Sequence, residues 1–548
     1  MGIYLNPGTN RFKEALNSQI YVDKTPMIAD VNSLVNTSGK YLCVSRPRRF
    51  GKSMAAAMLG AYYGPNEENR EIFAELKLAN CPNWDAYLGL FNVLHITLTQ
   101  FLRRGDSFPQ NLERMQALIG RDFRKVFPDV EFFDINDLIA SLQDIYATQD
   151  KQFVIIIDEW DAIFREYPND VQAQKDYLDF LRNLLKDQDY VALAYMTGIL
   201  PVKKYGKHSA LNMFTEYSMI APLMLAPYTG FTEDEVRQLC REFGMDFERI
   251  REWYDGYLVT SDSVVDDDFR MSQDPNKTRP PSTIYHLYAP LSVVKAVSTG
   301  AIQNWWNKTE TYEALAEYIR MDFDGMKETV ARLMEGEHIP VNLGTYSNDM
   351  TTMTCRDDIL ALLIHLGYLG YDQTEGRVFI PNREILDEYR NSTKTGDWSS
   401  TFRALRNSRR LVAATEAGDA ETIAELVEAA HDKAGNRTYN SEAALSYAIQ
   451  LAYYAAQDDY TLFPEVDTGR GFADLLYLPK HPGKPAMLIE LKYNQNAHTA
   501  IDQIQRQRYP DRLEQYKGNI ILVGINYDRS ASPSAPDFKH HSCQVLRA

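Results

Sequence analysis

The sequence predicts an α/β protein: a doubly wound parallel-sheet domain, then a mainly helical middle region, then a smaller α/β domain. Three observations predict it. Apolar β-branched runs alternate with helix-period segments from about residue 41 to 223. The character changes at Thr232-Glu233-Asp234-Glu235, a capping box that opens a helix. From residue 436 the order becomes helix, three strands, helix, strand. At roughly 150 residues per domain, 548 residues suggest three or four domains. The divisions fall at 1–225, 226–395, 396–435 (a helical linker) and 436–548.

In the first domain, strands are expected at 41–45, 92–99, 153–157, 191–196 and 217–223, with helices at 52–63, 136–148 and 171–186. The first strand runs through Arg46-Pro47-Arg48-Arg49-Phe50 into Gly51-Lys52-Ser53, where a helix opens. This is the layout of a nucleotide phosphate site. Unpaired N–H groups of a helix start face an anion, Lys52 reaches the β/γ-phosphates, and the Ser53 hydroxyl can bind Mg²⁺. The usual motif has glycine where this chain has Arg46, so the tripeptide can also be read as a cationic helix start. A loop without that glycine must supply electrostatics in another way, which favours a phosphate role for Arg46, Arg48 and Arg49 over a solvated one.

The second motif is Phe153-Val154-Ile155-Ile156-Ile157 followed by Asp158-Glu159. A buried parallel strand needs such a run, and acids at its C-terminal end sit where α/β sheets bind ligands. Asp158 would hold Mg²⁺ through water and Glu159 would polarise the attacking water. The plainer reading is an acidic strand end capping the next helix. Both motifs, in order on one domain, favour the nucleotide site.

The middle region carries the aromatic run Trp253-Tyr254-Asp255-Gly256-Tyr257. A polar loop is expected at 260–283, helices through 357–368 and a short strand at 377–380. A winged-helix unit fits this order, but its few basic residues favour packing over DNA reading. A polar stretch at 391–400 and an Ala/Glu-rich helix at 415–430 lead to the last domain.

There, helices are expected at 439–457 and 497–508, and strands at 460–466, 471–478, 486–493 and 519–527. Asp474 falls on the second strand of the set and Glu490-Leu491-Lys492 on the third. If those strands pair, the two acids converge on one divalent ion, since hard cations prefer carboxylate oxygens. By the period of two, Lys492 shares a face with Glu490 and can orient a water or stabilise a pentavalent phosphate. Glu442 on the preceding helix could add a carboxylate, and Gln503 on the following helix could orient a ligand. A cross-strand salt-bridge ladder is the competing reading.

Composition limits the classes open to the chain. With 45% hydrophobic and 24% charged residues it is an ordinary soluble globular sequence. A net charge of −17 argues against non-specific coating of nucleic acid, though not against a local basic groove. Five scattered cysteines without CxxC spacing indicate neither a zinc site nor a disulfide framework. There is no charged-then-apolar leader, no run near the ~18 apolar residues of a membrane span, and Asn6 stands against myristoylation. A cytoplasmic protein, neither exported nor anchored in a membrane, is expected.

Taken together, several segments resemble a known family. They are Tyr21-Val22-Asp23-Lys24-Thr25, the Arg46 to Ser53 loop, Asp158-Glu159 with Asp161, Thr197-Gly198, the Trp253 to Tyr257 run, Leu366-Gly367-Tyr368-Leu369, and Gly469-Arg470-Gly471 with Asp474 and Glu490-Leu491-Lys492. The chain resembles AAA-ATPase-like proteins with a C-terminal PD-(D/E)xK nuclease domain, over nearly its whole length, and Arg46 looks like that family's own pattern. The resemblance implies a P-loop NTPase-like (AAA/STAND-like) domain, a helical lid with a winged-helix-like region, and a restriction-endonuclease-like α/β domain. It also implies that Lys52 and Ser53 bind phosphates and Mg²⁺, Asp158 supports the metal, Glu159 is the catalytic base and Thr197 the polar sensor. Glu442, Asp474, Glu490 and Lys492 would be the nuclease positions, with Gln503 less securely placed. Two departures stand out. Ala473-Asp474 replaces Pro-Asp, which leaves the metal chemistry intact, and Tyr493-Asn494-Gln495 follows the third strand where more basic residues are usual, which puts the strength of DNA binding in doubt.

The expectation is therefore an ATP-binding, ATP-hydrolysing switch coupled to a nuclease using Mg²⁺ or Mn²⁺ on DNA or RNA, in genome defence or mobile-element biology. The alternatives are a signalling or scaffolding NTPase whose last domain binds a partner without cleaving, and a protein that binds nucleotide without turnover. A homo-oligomer or an unknown protein partner is compatible with each.

Overall fold

The computed structural model describes residues 2–548 apart from 104, 203–210, 262–282, 307–314, 316–318, 320–324, 346–352, 354, 395–397, 435–448, 451, 468–471, 495–496, 498–499, 501–515, 517 and 529–539. The chain divides into two compact units, Met1–Lys394 and Thr395–Ala548.

The first unit is built on a five-stranded sheet of β1 (Tyr41–Ser45), β2 (Asn92–Thr97), β3 (Phe153–Asp158), β4 (Val191–Gly198) and β5 (Thr215–Tyr217), in the order β2-β3-β4-β1-β5. All pairings are parallel. β1, β3 and β4 are buried along their whole length, which is why they read as unbroken apolar runs rather than alternations. The helix Lys52–Tyr63 packs on one face, where Ala56, Leu59 and Tyr63 join Val93, Ile156 and Tyr195 in one core. The parallel register places Ser45 beside Gly198 and Ile157 beside Met196, so the strand-ending loops of β1, β3 and β4 emerge together.

β5 ends at Tyr217, where the expected strand began. Pro222 lacks the N–H a ladder needs, and Leu223–Leu225 turn as a 3₁₀ helix whose apolar side chains still reach the core. The helix Phe108–Val126 was not foreseen, although Ser107 and Gln110 form a capping box at its start.

The capping box of Thr232 and Glu235 does open a helix, Glu233–Phe243, closed by Gly244 in the left-handed region. Around it, β6 (Phe231–Thr232), β7 (Tyr257–Ser261) and β8 (Thr283–Tyr288) form an antiparallel sheet ordered β6-β8-β7. Most of the polar segment expected at 260–283 lies outside the described residues. A second small antiparallel sheet, ordered β10-β11-β9, comprises β9 (Ile339–Pro340), β10 (Gly370–Asp372) and β11 (Arg377–Phe379). It is accompanied by the helices Met326–Met334, Arg356–Leu366 and Arg383–Ser392.

The second unit holds a mixed sheet of β12 (Tyr460–Asp467), β13 (Phe472–Pro479), β14 (Ala486–Tyr493), β15 (Ile520–Tyr527) and β16 (His541–Arg547), in chain order. Only β14 and β15 run parallel. β16 was not foreseen: its residues are largely polar and part-exposed, as an edge strand allows. The stretch 396–435, expected as a linker, belongs structurally to this unit. Its helices Trp398–Ala417 and Ala420–Ala434 bury Leu411, Ile423, Leu426 and Val427 against Leu475, Ile489 and Val523. Polar ties complete the docking, with Lys484 on Glu416 at 2.9 Å and His541 Nδ1 on Glu428 at 2.6 Å. Most of the expected helices at 439–457 and 497–508 lies outside the described residues. Among the described residues no helix is long and apolar enough to cross a membrane.

Gly256 shows what the Trp253 to Tyr257 run is for. Its φ is +114°, and a Cβ there would overlap the carbonyl oxygen of Pro381. Both effects oppose a side chain. Gly256→Ala should destabilise the first unit by about 3 kcal/mol, read as a lower urea midpoint; an unchanged midpoint would show that this close approach is not required.

Candidate functional site

In the first unit the loop between β1 and the helix Lys52–Tyr63 turns through two left-handed residues, Arg49 (φ +70°) and Gly51 (φ +86°), and Gly51 caps the helix. Nothing lies within 4 Å of a Cβ built on Gly51, so glycine is needed there for its backbone conformation rather than for space. The helix start opens on a cavity of about 620 Å³. Lys52 is only 9% exposed, and its Nζ donates to the carbonyls of Arg46 and Pro47, each at 2.8 Å. Burial pushes its pKa down to about 8, against the opposing pull of Asp161, Asp158 and Glu159. Ser53, the second residue of the helix, is exposed and lines the cavity.

The opposite side is acidic. Asp158 ends β3, and its Oδ1 accepts from the Thr197 hydroxyl and, at 3.1 Å, from the Glu159 N–H. Glu159 has φ +56°, a left-handed conformation uncommon for glutamate, at the point where the chain leaves the strand. Buried Asp161 accepts the N–H groups of Ile199 and Leu200 on Oδ2, both at 3.0 Å. Arg46 N–H donates to the Gly198 carbonyl at 3.1 Å, and Trp160 N–H to that of Thr197 at 2.9 Å. A Cβ on Gly198 would stand 2.6 Å from the Trp160 ring. The ends of β1, β3 and β4 are thereby fixed to one another.

Gly51, Lys52, Ser53, Asp158 and Glu159 all line this one cavity, as do Arg48 and Arg49. Arg46 does not. Its guanidinium is fully buried and donates to Thr229 Oγ1 at 2.8 Å and to the carbonyls of Tyr217 and Ser45 at 3.0 and 3.2 Å. The expectation of a phosphate contact from this side chain is corrected: it ties the loop to β5 and to Thr229. Thr197 is also buried and acts on the cavity through Asp158.

Sequence reasoning gave no role to Arg165, Lys24 or the apolar wall of Ile20, Val22, Leu291 and Val294, which line the same cavity. The signal was the Tyr21 to Thr25 segment. Asp23 Oδ1 accepts the N–H and hydroxyl of Thr25 at 2.9 and 2.6 Å, and its Oδ2 accepts Lys77 N–H at 2.7 Å. Lys24 reaches Glu235 and the Pro227 carbonyl, so the segment is pinned at both ends as one wall of the cavity.

The arginine loop also rests on the region that follows. Arg49 donates to the Trp306 carbonyl at 3.0 Å and lies 5.2 Å over its ring. The N–H groups of Trp305 and Trp306 donate to Glu384, as does the Ser292 hydroxyl, and burial pushes that carboxyl up to about 7. Glu233, Asp255 and His286 gather within 4.8 Å of one another. Arg237 bonds Glu233 at 2.7 Å and Arg251 approaches Asp255, so their charge is balanced within the protein.

In the second unit, β13 pairs with β14 at Leu475↔Ile489, and one step further along this register Asp474 stands opposite Glu490. Leu475, Ile489 and Leu491 face the core under the two helices, so Asp474, Glu490 and Lys492 share the other face. Asp474 Oδ2 accepts the Leu491 N–H at 2.7 Å, and Lys492 Nζ donates to Glu490 Oε1 at 2.9 Å. Glu490 is 2% exposed. Two facing carboxylates are the donor set a hard divalent cation takes, so the residues present fit a divalent-cation site. Glu442, Gln503 and Gly469-Arg470-Gly471 lie outside the described residues.

Comparison with known proteins agrees with both halves. Residues 7–206 match the family described as "Predicted AAA-ATPase", and 445–532 match the PD-(D/E)XK nuclease superfamily. The chain joins an AAA-ATPase-like domain to a PD-(D/E)XK nuclease superfamily domain. A curated relative, an uncharacterized protein in the vnfD 5′ region of Azotobacter chroococcum mcd 1, is 26% identical over 263 residues. That match covers 44% of this chain and 46% of the relative, so it spans about half of either protein. Among solved structures, the Aeropyrum pernix ORC2 protein (ADPNP-ADP complexes) is 11% identical, with 70% of this chain and 97% of that one covered at a TM-score of 0.28. The Aeropyrum pernix ORC1 protein in complex with DNA is also 11% identical, covering 67% and 90% at 0.22.

Proposed function

We propose that the protein is an ATP-binding and ATP-hydrolysing switch whose second unit is a metal-dependent nuclease. The observation that carries the first half is the meeting of the Gly51-Lys52-Ser53 helix start with Asp158 and Glu159 across one cavity. The helix N–H groups and Lys52 bind the β- and γ-phosphates, and Arg48 and Arg49 add positive charge along the loop. Ser53 and Asp158 are the residues that would hold Mg²⁺, with Thr197 fixing the Asp158 carboxylate. Glu159 orients the attacking water and takes its proton. The apolar wall receives the nucleobase.

In the second unit Asp474 and Glu490 would hold Mg²⁺ or Mn²⁺, with Glu442 as a third acid. A divalent ion bound there offsets phosphate charge and lowers the pKa of a coordinated water. Lys492 positions the nucleophilic water and offsets charge developing on the scissile phosphate, and Gln503 orients the ligand. The substrate is DNA or RNA, and an ATP-controlled nuclease working in the cytoplasm suits genome defence or mobile-element biology. The direct Lys492–Glu490 contact favours one second reading, a structural ion pair in a last domain that binds a partner without cleaving.

Lys52→Ala should weaken Mg-ATP binding by about 100-fold in calorimetry, whereas Glu159→Gln should keep binding and stop hydrolysis. The sign of the pH dependence follows from Lys52. Its free-state pKa of about 8 must rise when phosphates bind, so affinity should hold below pH 8 and fall above it, with proton uptake visible as a buffer-dependent heat. Affinity that rises above pH 8, or a Lys52→Ala protein with wild-type affinity, would sink the phosphate assignment.

For the nuclease, Asp474→Asn or Glu490→Gln should abolish cleavage of labelled DNA or RNA while ATP binding persists. Lys492→Ala should retain metal binding and lose most of the rate. A wild-type protein that binds no divalent ion here, and cuts nothing with or without ATP, would leave the scaffolding reading.

A further inference from the structure

We propose that Arg165 binds the terminal phosphate of a nucleoside triphosphate from within the same chain and so distinguishes triphosphate from diphosphate. The inference rests on the nucleotide reading of the cavity. Arg165 sits in the short helix Ala162–Glu166 immediately after the Asp158 to Asp161 turn, and it lines the cavity together with Lys52, Ser53, Asp158 and Glu159.

Its side chain is 21% exposed, and its Nη2 lies 3.6 Å from Asp161 Oδ1, beyond hydrogen-bond distance. Its Nε is buried and has no hydrogen-bond partner among the described residues; the same holds for Asp161 Oδ1, because Oδ2 takes both backbone N–H groups. A guanidinium offers five donors in a rigid fork, and leaving buried ones unmade costs free energy. A group that served only to neutralise Asp161 would close on both carboxylate oxygens. Arg165 instead leaves Nε without a partner while its side chain lines the cavity that Lys52 also lines, and the two cations are close enough for their charges to repel. An anion between them relieves that repulsion and completes the fork.

The position selects which phosphate. Lys52 opens the helix whose N-terminus cradles the chain of phosphates, whereas Arg165 stands on the β3 side with Glu159, where the attacking water approaches the terminal phosphorus. A diphosphate leaves that side empty. Arg165 therefore contributes to triphosphate affinity and little to diphosphate affinity.

The test is calorimetry of Mg-AMPPNP and Mg-ADP with wild type, Arg165→Ala and Arg165→Lys. The expected result is a loss of about tenfold or more in AMPPNP affinity for Arg165→Ala, less than about threefold for ADP, and an intermediate value for Arg165→Lys. Retained ADP binding doubles as the check on folding, and if Arg165→Ala does not fold, Arg165→Lys decides. Equal losses for both nucleotides, or none for either, overturn the assignment of Arg165 while leaving the cavity a nucleotide site. A wild-type protein that binds neither nucleotide overturns both.

Discussion

The constraint on which the first unit depends is the parallel alignment of β1, β3 and β4 at their C-terminal ends. Parallel strands deliver their loops to the same edge of a sheet, and here those loops are joined by specific bonds: Arg46 N–H to Gly198, Trp160 N–H to Thr197, and the Thr197 hydroxyl to Asp158. Fixing three strand ends in this way holds a cationic helix start and an acidic turn across a cavity without side-chain contact having to pull them together. Asp161 reinforces the arrangement by capping the two N–H groups that follow β4.

Charge at that edge is close to self-compensating. Lys52 is kept inside by the carbonyls of the preceding loop and by the acids opposite. The loop is braced from its other side too. Phe50 packs edge-on against Tyr257, whose hydroxyl donates to the Gly367 carbonyl, and a Cβ on Gly367 would press on Pro47. Arg49 reaches Trp306, which Glu384 holds through its N–H. Through Trp306 and Glu384 the loop is thereby linked to the helix Arg383–Ser392 within the same unit.

Sequence legibility followed how each signal arises. β1 and the helix Lys52–Tyr63 fell where expected because a fully buried strand and a glycine-capped helix leave sharp local marks. Asp474, Glu490 and Lys492 could be assigned to one face because the period of two is fixed by pleating. Arg46 was misread because sequence gives charge but not direction, and three buried oxygens claim its guanidinium. Apolar content placed β5 too late, since the apolar residues around Pro222 pack on the core, several of them only half-buried, without being a strand. The Ala/Glu-rich segment 415–430, expected as one linker helix, instead spans the break between the helices ending at Ala417 and starting at Ala420, and its partner surface, β13 to β15, lies later in the chain. Arg165 was illegible for a similar reason: nothing in its sequence neighbourhood says that its Nε is left without a partner.

The most direct measurement of the central claim is amide hydrogen exchange with and without saturating Mg-ATP. The helix N-terminus is the proposed phosphate cradle, so amides 51–55 should exchange more slowly with nucleotide, together with those at 158–161. Nucleotide that binds while exchange at 51–55 stays unchanged would contradict the account.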